Sequence, residues 1–218
     1  MKKITLFLAL VLLLAACGGE ATDSTSENSK EDTNTEEQTE TAKGSEEEET
    51  DSENNTTDGG NKVGDVISNE AGDSTLVSLA NDVGTFESGP IKLTIDKANG
   101  VSMKVSDSYV ELFETDQLEY IQVDMTVENT SEDHISFYAS QAVMTTSTGE
   151  QLDPDMFLSD HIDGDYLGAV TKSGSSFYIL KNSKAEDVES IKLHFSAPSD
   201  EDWEDVGEEI VVEISLNK

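Results

Sequence analysis

The chain has 218 residues, and its 47 Asp and Glu residues outnumber 13 basic residues, which gives a net charge of −34. Every basic residue is Lys. Proteins hold nucleic acid phosphates with Lys and Arg side chains, so this composition argues against a nucleic acid partner. The single Cys excludes an internal disulfide and a zinc site built on a Cys cluster. Aromatic residues make up only 6%, which predicts that part of the chain is unfolded.

The N-terminus has the features of a secretory signal. Lys2 and Lys3 precede an apolar stretch at residues 4–16 that is interrupted only by Thr5. This stretch is too short to span a hydrocarbon core, which takes about 20 residues, but it has the length of a signal-peptide core. It ends in Leu14-Ala15-Ala16-Cys17, which resembles the lipobox of bacterial lipoproteins. The alternative is a signal anchor in which the Cys is incidental.

The lipobox resemblance implies that Cys17 carries a membrane anchor. In that family a signal peptidase removes the residues before the Cys, here residues 1–16, and the Cys sulfur receives a diacylglycerol with fatty acyl chains such as palmitate. Two acyl chains suffice for stable anchoring, whereas one gives only marginal binding. The resemblance therefore implies a protein that is lipid-anchored at the extracellular face of the cell membrane, with the membrane as a partner through the lipid.

Residues 17–62 are predicted to be the lipidated Cys followed by a disordered acidic tether. The 45 residues from Gly18 to Lys62 contain 15 acidic residues and three Lys, and almost no apolar side chains. Such a segment cannot bury enough apolar surface to offset the entropy lost on ordering. A neutral coil of this length would span about 37 Å, and repulsion between like charges extends it further. The alternative is a hydrophilic leader with no length requirement.

The rest of the chain is predicted to be all-β. Residues 63–83 are weakly patterned and predict a weakly ordered lead-in, whereas residues 84–218 alternate apolar and polar side chains. Period-two alternation is typical of strands with one buried face. The pattern predicts an antiparallel β-sandwich of six or seven strands over residues 84–218. The strands are expected around residues 91–95, 121–127, 134–146, 175–180, 191–195 and 210–216.

Shorter signals complete this prediction. Asn99-Gly100 and Thr148-Gly149-Glu150 are typical of turns. One or two short helices are expected, near residues 106–113 and 199–203. Trp203, the single Trp, is expected to plug one end of the sandwich, with ligand stacking as the alternative.

The turn motifs also resemble a known family. Glu128-Asn129-Thr130-Ser131 closes a strand, Thr148-Gly149-Glu150 forms a hairpin, and Gly174 precedes an apolar run. In this order they resemble bacterial extracellular lipoproteins with an immunoglobulin-like domain of unknown function, related to the mycobacterial immunoprotective extracellular protein. The family's usual Pro-Gly stands here as Ser173-Gly174. The resemblance implies an immunoglobulin-like β-sandwich and carries over no catalytic residues.

Motifs for catalysis are missing from the sequence. It has no nucleophile elbow, HExxH motif, phosphate loop or dinucleotide fingerprint, so we do not expect an enzyme. The densest cluster of ionisable residues is a loop in which carboxylates could converge on a Ca²⁺ ion, although the spacing is not that of an EF-hand. The alternative is a solvated acidic loop without metal. The candidate ligands are Asp153, Asp155, Asp160, Asp163 and Asp165.

The charge of the predicted domain has two interpretations. Residues 63–218 contain 32 acidic residues and eight Lys, a net charge of −24. One interpretation is adaptation to a salty exterior, where ions screen repulsion between the carboxylates. The other is a binding surface for a cationic partner.

These features together favour a non-catalytic binding or interaction module at the cell surface. Its partner would be an unknown extracellular or cell-wall component, contacted through the loop at residues 151–166. Two alternatives remain. A Ca²⁺-dependent adhesion or structural domain requires the aspartate loop to bind metal, and an accessory solute-binding lipoprotein requires an apolar pocket with converging polar groups.

Replacing Cys17 tests the anchor. We expect the wild-type protein to stay in the membrane pellet after a high-salt wash, and Cys17→Ser to move to the soluble fraction, because the lipid and not the acidic polypeptide holds the membrane. Immunoblots of both fractions measure this, with Ser24→Ala as the control. A Cys17→Ser protein that remains in the pellet contradicts the prediction.

Overall fold

The computed structural model describes residues 62–218, so the predicted signal peptide, Cys17 and nearly all of the tether lie outside the described residues. The described part contains one four-residue α-helix, α1 (Val110–Phe113), and antiparallel strands. In chain order the strands are β1 (Val66–Asn69), β2 (Gly72–Ser88), β3 (Ile91–Val105), β4 (Gln117–Asn129), β5 (His134–Ser136), β6 (Val143–Thr146), β7 (Gln151–Leu152), β8 (Asp165–Leu167), β9 (Thr171–Ile179), β10 (Ser190–Phe195) and β11 (Ile210–Ser215).

The strands form two main sheets and one small one. The first sheet has the order β1-β2-β3-β4-β9, the second has the order β11-β10-β6-β7, and β5 pairs with β8. Two short 3₁₀ turns, Ala139–Gln141 and Ala185–Asp187, lie between strands. The predicted all-β, sandwich-like fold is therefore confirmed, with antiparallel pairing throughout the named strands.

The core of the sandwich is built from the alternating residues that predicted the strands. Ile91, Leu93 and Ile95 of β3 are buried, as are Leu193 and Val212 on the second sheet. Residues from both main sheets belong to one contiguous apolar cluster, so the sheets pack face to face. Burying each large apolar side chain contributes roughly 1.5–3 kcal/mol to folding.

A register shift in β3 changes the face of the sheet to which the odd-numbered side chains of this long strand point. The pairing of β3 with β4 slips by one residue between Ile95 and Lys97. Side chains alternate between faces along a strand, so a one-residue bulge sends the following odd-numbered residues to the opposite side. Before the bulge Leu93 packs in the sandwich core, and after it Val101 and Met103 join a second apolar cluster.

Residues 63–83 differ from the expected weakly ordered lead-in, and that prediction was wrong. They contain β1 and the first part of β2, which pairs with β3 from Gly72 onward. β2 has two register shifts, between Leu76 and Ser78 and between Asn81 and Gly84. Its buried positions are all even-numbered, but glycine and serine occupy three of the five, so the sequence shows no clear apolar alternation.

Asn99-Gly100 is not a turn, because both residues lie within β3. A Cβ atom at Gly100 would collide with the buried Ser78 hydroxyl of the neighbouring strand, so a larger residue here would force that hydroxyl to move. The predicted turn at Gly149 is confirmed, since this residue has φ of 90° between β6 and β7.

The predictions for residues 199–203 were wrong. The segment is a turn and not a helix, in which the Asp200 Oδ1 atom accepts hydrogen bonds from the amides of Asp202 and Glu204. Trp203 adopts φ of 62° and is 72% exposed, so it does not plug the sandwich.

Glu150 joins the second sheet to the end of the first. Its carboxylate accepts hydrogen bonds from the amides of Lys181, Asn182 and Ser183, at 2.9, 3.2 and 2.9 Å. Desolvation acts to raise the pKa of Glu150, but the hydrogen bonds from Ser183 and the backbone amides outweigh it, and the pKa lies below its ordinary value.

Substituting Glu150 tests this link. We expect Glu150→Gln to lower the free energy of unfolding by about 1 kcal/mol at pH 7, because a charged acceptor is lost at a site that is largely open to solvent. Because the folded-state pKa of Glu150 is lowered, its charged carboxylate stabilises the protein at pH values above 4.5, the ordinary pKa of the group. This stabilisation is lost as the pH falls through the folded-state pKa.

The measurement is chemical denaturation at pH 7, 5 and 3. The difference between wild type and Glu150→Gln should be full at pH 7 and shrink below pH 5. Glu209→Gln removes an exposed carboxylate that makes no side-chain hydrogen bond within residues 62–218, and it is the control. A difference that is independent of pH contradicts the assignment.

Candidate functional site

The outer face of the first sheet carries an apolar groove, meaning the face turned away from the second sheet. The groove has a volume of about 560 Å³ and lies between α1, the first residues of β4, the end of β9 and the loop after β7. A volume of this size is typical of ligand sites. Its lining residues are Leu112, Phe113, Leu118, Asp155, Phe157, Leu158 and Ile179.

The bulge in β3 explains why this outer face is apolar. Beyond the bulge, Met103 pairs with Leu118 of β4 and Val101 pairs with Tyr120, and all four belong to the second apolar cluster. On the far side of β4, the Phe177 ring lies 5.6 Å from the Tyr120 ring. The sheet therefore presents apolar side chains on both faces at this end, and something must cover the outer one.

The helix α1 covers part of this face. Its N-cap residue, Tyr109, stacks on Phe113 with 6.4 Å between ring centroids, and both pack against the second cluster. A single turn of helix cannot turn all its apolar residues inward. Leu112 projects away from the sheet and remains 71% exposed at the margin of the groove.

The loop after β7 forms the opposite wall and is fastened along the free edge of β9. The Asp155 amide donates to the Phe177 carbonyl at 2.7 Å, and the Phe177 amide donates to the Ser159 hydroxyl at 2.9 Å. Asp160 exchanges two further hydrogen bonds with the Ser175 backbone, at 2.8 and 2.9 Å. These bonds satisfy an edge that the sheet itself leaves open.

Asp155 sets the direction of the side chains in this wall. Its Oδ1 atom accepts hydrogen bonds from the amides of Phe157 and Leu158, both at 2.9 Å. The resulting turn places Leu158 against the second apolar cluster and leaves Phe157 99% exposed. The groove thus has two large apolar side chains at its mouth, Phe157 and Leu112.

The structure does not bring the five predicted Ca²⁺ ligands to one point. Asp153, Asp155 and Asp160 line one hollow together with His161, but Asp155 and Asp160 accept hydrogen bonds from backbone amides, as described. Asp163 pairs with the Lys172 ammonium at 3.2 Å, and the hydrogen bond and charge of Lys172 lower the pKa of Asp163. Within residues 62–218 no three Asp, Glu, His or Cys side chains are grouped in a way that suits a metal ion.

Asp165 lies beside His134, and the three His residues belong to different segments of the chain. The Asp165 Oδ1 atom accepts a hydrogen bond from Ser136, and it lies 3.7 Å from His134. The other ring nitrogen of His134 contacts Glu201 at 3.1 Å. His194 is exposed on β10. Tyr178 is buried, which raises its pKa, and its hydroxyl donates to the Ala142 carbonyl. These contacts hold strands and loops together.

The groove was not predicted from the sequence, although a signal for it exists. Residues 177–180 are four consecutive apolar residues, and Leu118, Tyr120 and Ile121 place apolar groups on both faces of β4. Runs of this kind indicate strands that are covered on both sides. The expected contact loop at residues 151–166 contains the groove residues Asp155, Phe157 and Leu158.

Comparison with known proteins places the chain among bacterial lipoproteins. No model of a known protein family matches it. It is 34% identical over 160 residues to the SPbeta prophage-derived uncharacterized lipoprotein YonS of Bacillus subtilis (strain 168), and the match covers 72% of this chain and 73% of YonS. Within residues 62–218 no helix has the length and apolar character needed to cross a membrane.

Two solved structures match part of the chain. A functionally unknown protein from Listeria monocytogenes EGD-e matches with a TM-score of 0.50 at 13% identity, over 67% of this chain and 89% of that protein, and supports the fold alone. The yjhA protein from Bacillus subtilis matches with a TM-score of 0.40 at 16% identity, over 62% of this chain and 99% of its own. On the strength of the YonS match, the chain belongs to a family of bacterial lipoproteins of unknown function.

Proposed function

We propose that this protein is a lipid-anchored, non-catalytic binding module at the extracellular face of the cell membrane, and that the apolar groove is its ligand site. Cys17 carries the lipid in this proposal, and the acidic tether holds the sandwich away from the bilayer. The relationship to the mycobacterial immunoprotective extracellular protein that the turn motifs imply is part of the same proposal. The partner is an extracellular or cell-wall component.

The exposure of Phe157 and Leu112 at one groove is the observation that carries the proposal. Single exposed apolar residues are common, but exposed apolar groups that rim a concave surface are typical of interaction sites. Covering both side chains would contribute roughly 3–6 kcal/mol before the cost of association is subtracted. Since Asp155 and the edge of β9 hold one wall in place, a ligand would not have to order that wall on binding.

The two alternatives receive less support from the geometry. A Ca²⁺-dependent domain requires converging carboxylates. Three of the five aspartates border one hollow, but within residues 62–218 no three acidic, His or Cys side chains are grouped in a way that suits a metal ion. A small-solute site requires several polar groups that converge on the solute, and the groove wall offers one carboxylate, Asp155, among six apolar side chains. A ligand with a large apolar surface suits the groove better.

A neutral apolar dye tests the groove directly. N-phenyl-1-naphthylamine becomes fluorescent in apolar sites and carries no charge that the acidic protein would repel. We expect it to bind residues 17–218 carrying Cys17→Ser, and the double substitution Leu112→Ser with Phe157→Ser to weaken dye binding at least fivefold. The physical reason is the loss of apolar surface at the groove mouth.

Val211→Ser is the matched control, because Val211 is also an exposed apolar residue but lies on β11 of the second sheet. It should leave dye binding unchanged. Thermal unfolding of each variant verifies that the sandwich is intact. Equal dye affinity in the wild type and the Leu112/Phe157 variant, with both proteins folded, contradicts the proposed site.

A further inference from the structure

Carboxylates adjoin the groove-lining residues in sequence and form no salt bridge within residues 62–218. Glu111 and Glu114 lie on either side of Leu112 and Phe113, Asp116 follows two residues later, and Asp155 lines the groove itself. Glu111, Glu114 and Asp116 are exposed. The salt bridges of the described part lie elsewhere and involve Glu128, Asp124, Asp165, Glu201, Asp163, Glu186 and Glu213.

The lysines of the sandwich are mostly engaged away from the groove. Those nearest to it along the strands are Lys104, which pairs in register with Gln117, and Lys181, which follows Ile179 by two residues. Neither forms a salt bridge within the described residues. These four carboxylates thus outnumber the two lysines on the adjoining strand segments, and residues 63–218 carry a net charge of −24.

This charge limits what can occupy the groove. A second copy of the chain would bring another acidic domain against the acidic rim, and anionic lipid headgroups would be repelled in the same way. A ligand that places cations over the rim and apolar groups in the groove gains from both surfaces. Amphipathic peptide helices combine these features, with apolar anchors spaced three or four residues apart and charges on the other face.

We propose that the ligand is a cationic amphipathic peptide segment. Its apolar side chains occupy the groove between Leu112 and Phe157, and its Lys or Arg side chains pair with Glu111, Glu114 and Asp116. This inference rests on the proposed function and specifies the chemistry of the partner. The charge supplies selectivity and faster association, and the apolar contact supplies most of the affinity.

The test uses a fluorescein-labelled model helix of 14 residues that contains only Leu and Lys, with all Leu on one face. Fluorescence anisotropy measures its binding to residues 17–218 carrying Cys17→Ser. Two analogues separate the contributions. One has Gln at every Lys position, and the other has the same composition in an order that gives no apolar face.

We expect the amphipathic Lys peptide to bind at least tenfold more tightly than either analogue at low salt. Raising NaCl from 0.05 to 0.5 M should weaken its binding several-fold, because the Debye length falls from about 14 Å to about 4 Å and exposed charges are then largely screened. The triple substitution Glu111→Gln, Glu114→Gln and Asp116→Asn should weaken its binding about tenfold, at a few-fold per exposed pair.

A second triple substitution provides the control for total charge. Asp202→Asn, Glu204→Gln and Glu209→Gln remove the same three charges from exposed positions near the Trp203 turn. The adjoining Val206 lies against Gly89 at the start of β3, whereas α1 follows the far end of β3, about 45 Å of strand away. This control should change peptide affinity less than twofold.

Three outcomes overturn the inference. Equal weakening by both triple variants indicates attraction to the overall charge and not to the rim. Equal affinity for the Gln analogue shows that charge does not select the ligand, and the groove then stands as an apolar site if dye binding still requires Leu112 and Phe157. Tighter binding to phosphatidylglycerol vesicles, measured by co-sedimentation, than to the peptide, measured by anisotropy, assigns the surface to a membrane instead.

Discussion

The register shift between Ile95 and Lys97 is the constraint on which the rest of the structure depends. Half of β3 turns its apolar side chains toward the second sheet, and the half beyond the bulge turns them to the outer face. An apolar sheet face in contact with water is unfavourable, so the outer face has to be covered. Here α1 and the loop after β7 provide that cover, but each of them is short, and together they leave a groove.

Period-two patterning predicted the sandwich because the sheets are antiparallel and mostly half-buried. It failed in β2, where glycine and serine occupy most of the buried positions, and at Gly100, where an apparent turn residue lies within a strand and packs closely against Ser78. Trp203 was assigned to the interior because aromatic residues are usually buried, yet the turn at Asp200 holds its backbone at positive φ and leaves the ring in solvent. Local pattern could not reveal that tertiary arrangement.

The candidate site was partly visible in the sequence. The loop that contains Phe157 was identified by its aspartates, but their role could not be deduced from spacing alone. In the structure Asp155 and Asp160 accept hydrogen bonds from backbone amides, as Glu150 does elsewhere. These carboxylates help to shape the polypeptide, whereas Glu111, Glu114 and Asp116 make no such contacts through their side chains within the described part. Only the tertiary contacts show which carboxylates accept hydrogen bonds from backbone amides and which do not.

The hydrogen bonds between β9 and the loop after β7 also matter when many copies of the protein are confined to one surface. An unpaired strand edge is a template on which a neighbouring molecule can add its own strand, and lipid anchoring would raise the local concentration at which such additions occur. Asp155, Ser159 and Asp160 already form hydrogen bonds with the backbone groups of Phe177 and Ser175. A strand from another molecule therefore cannot pair with β9 at these residues. The same hydrogen bonds that shape the binding wall therefore also guard against fibre growth between crowded copies.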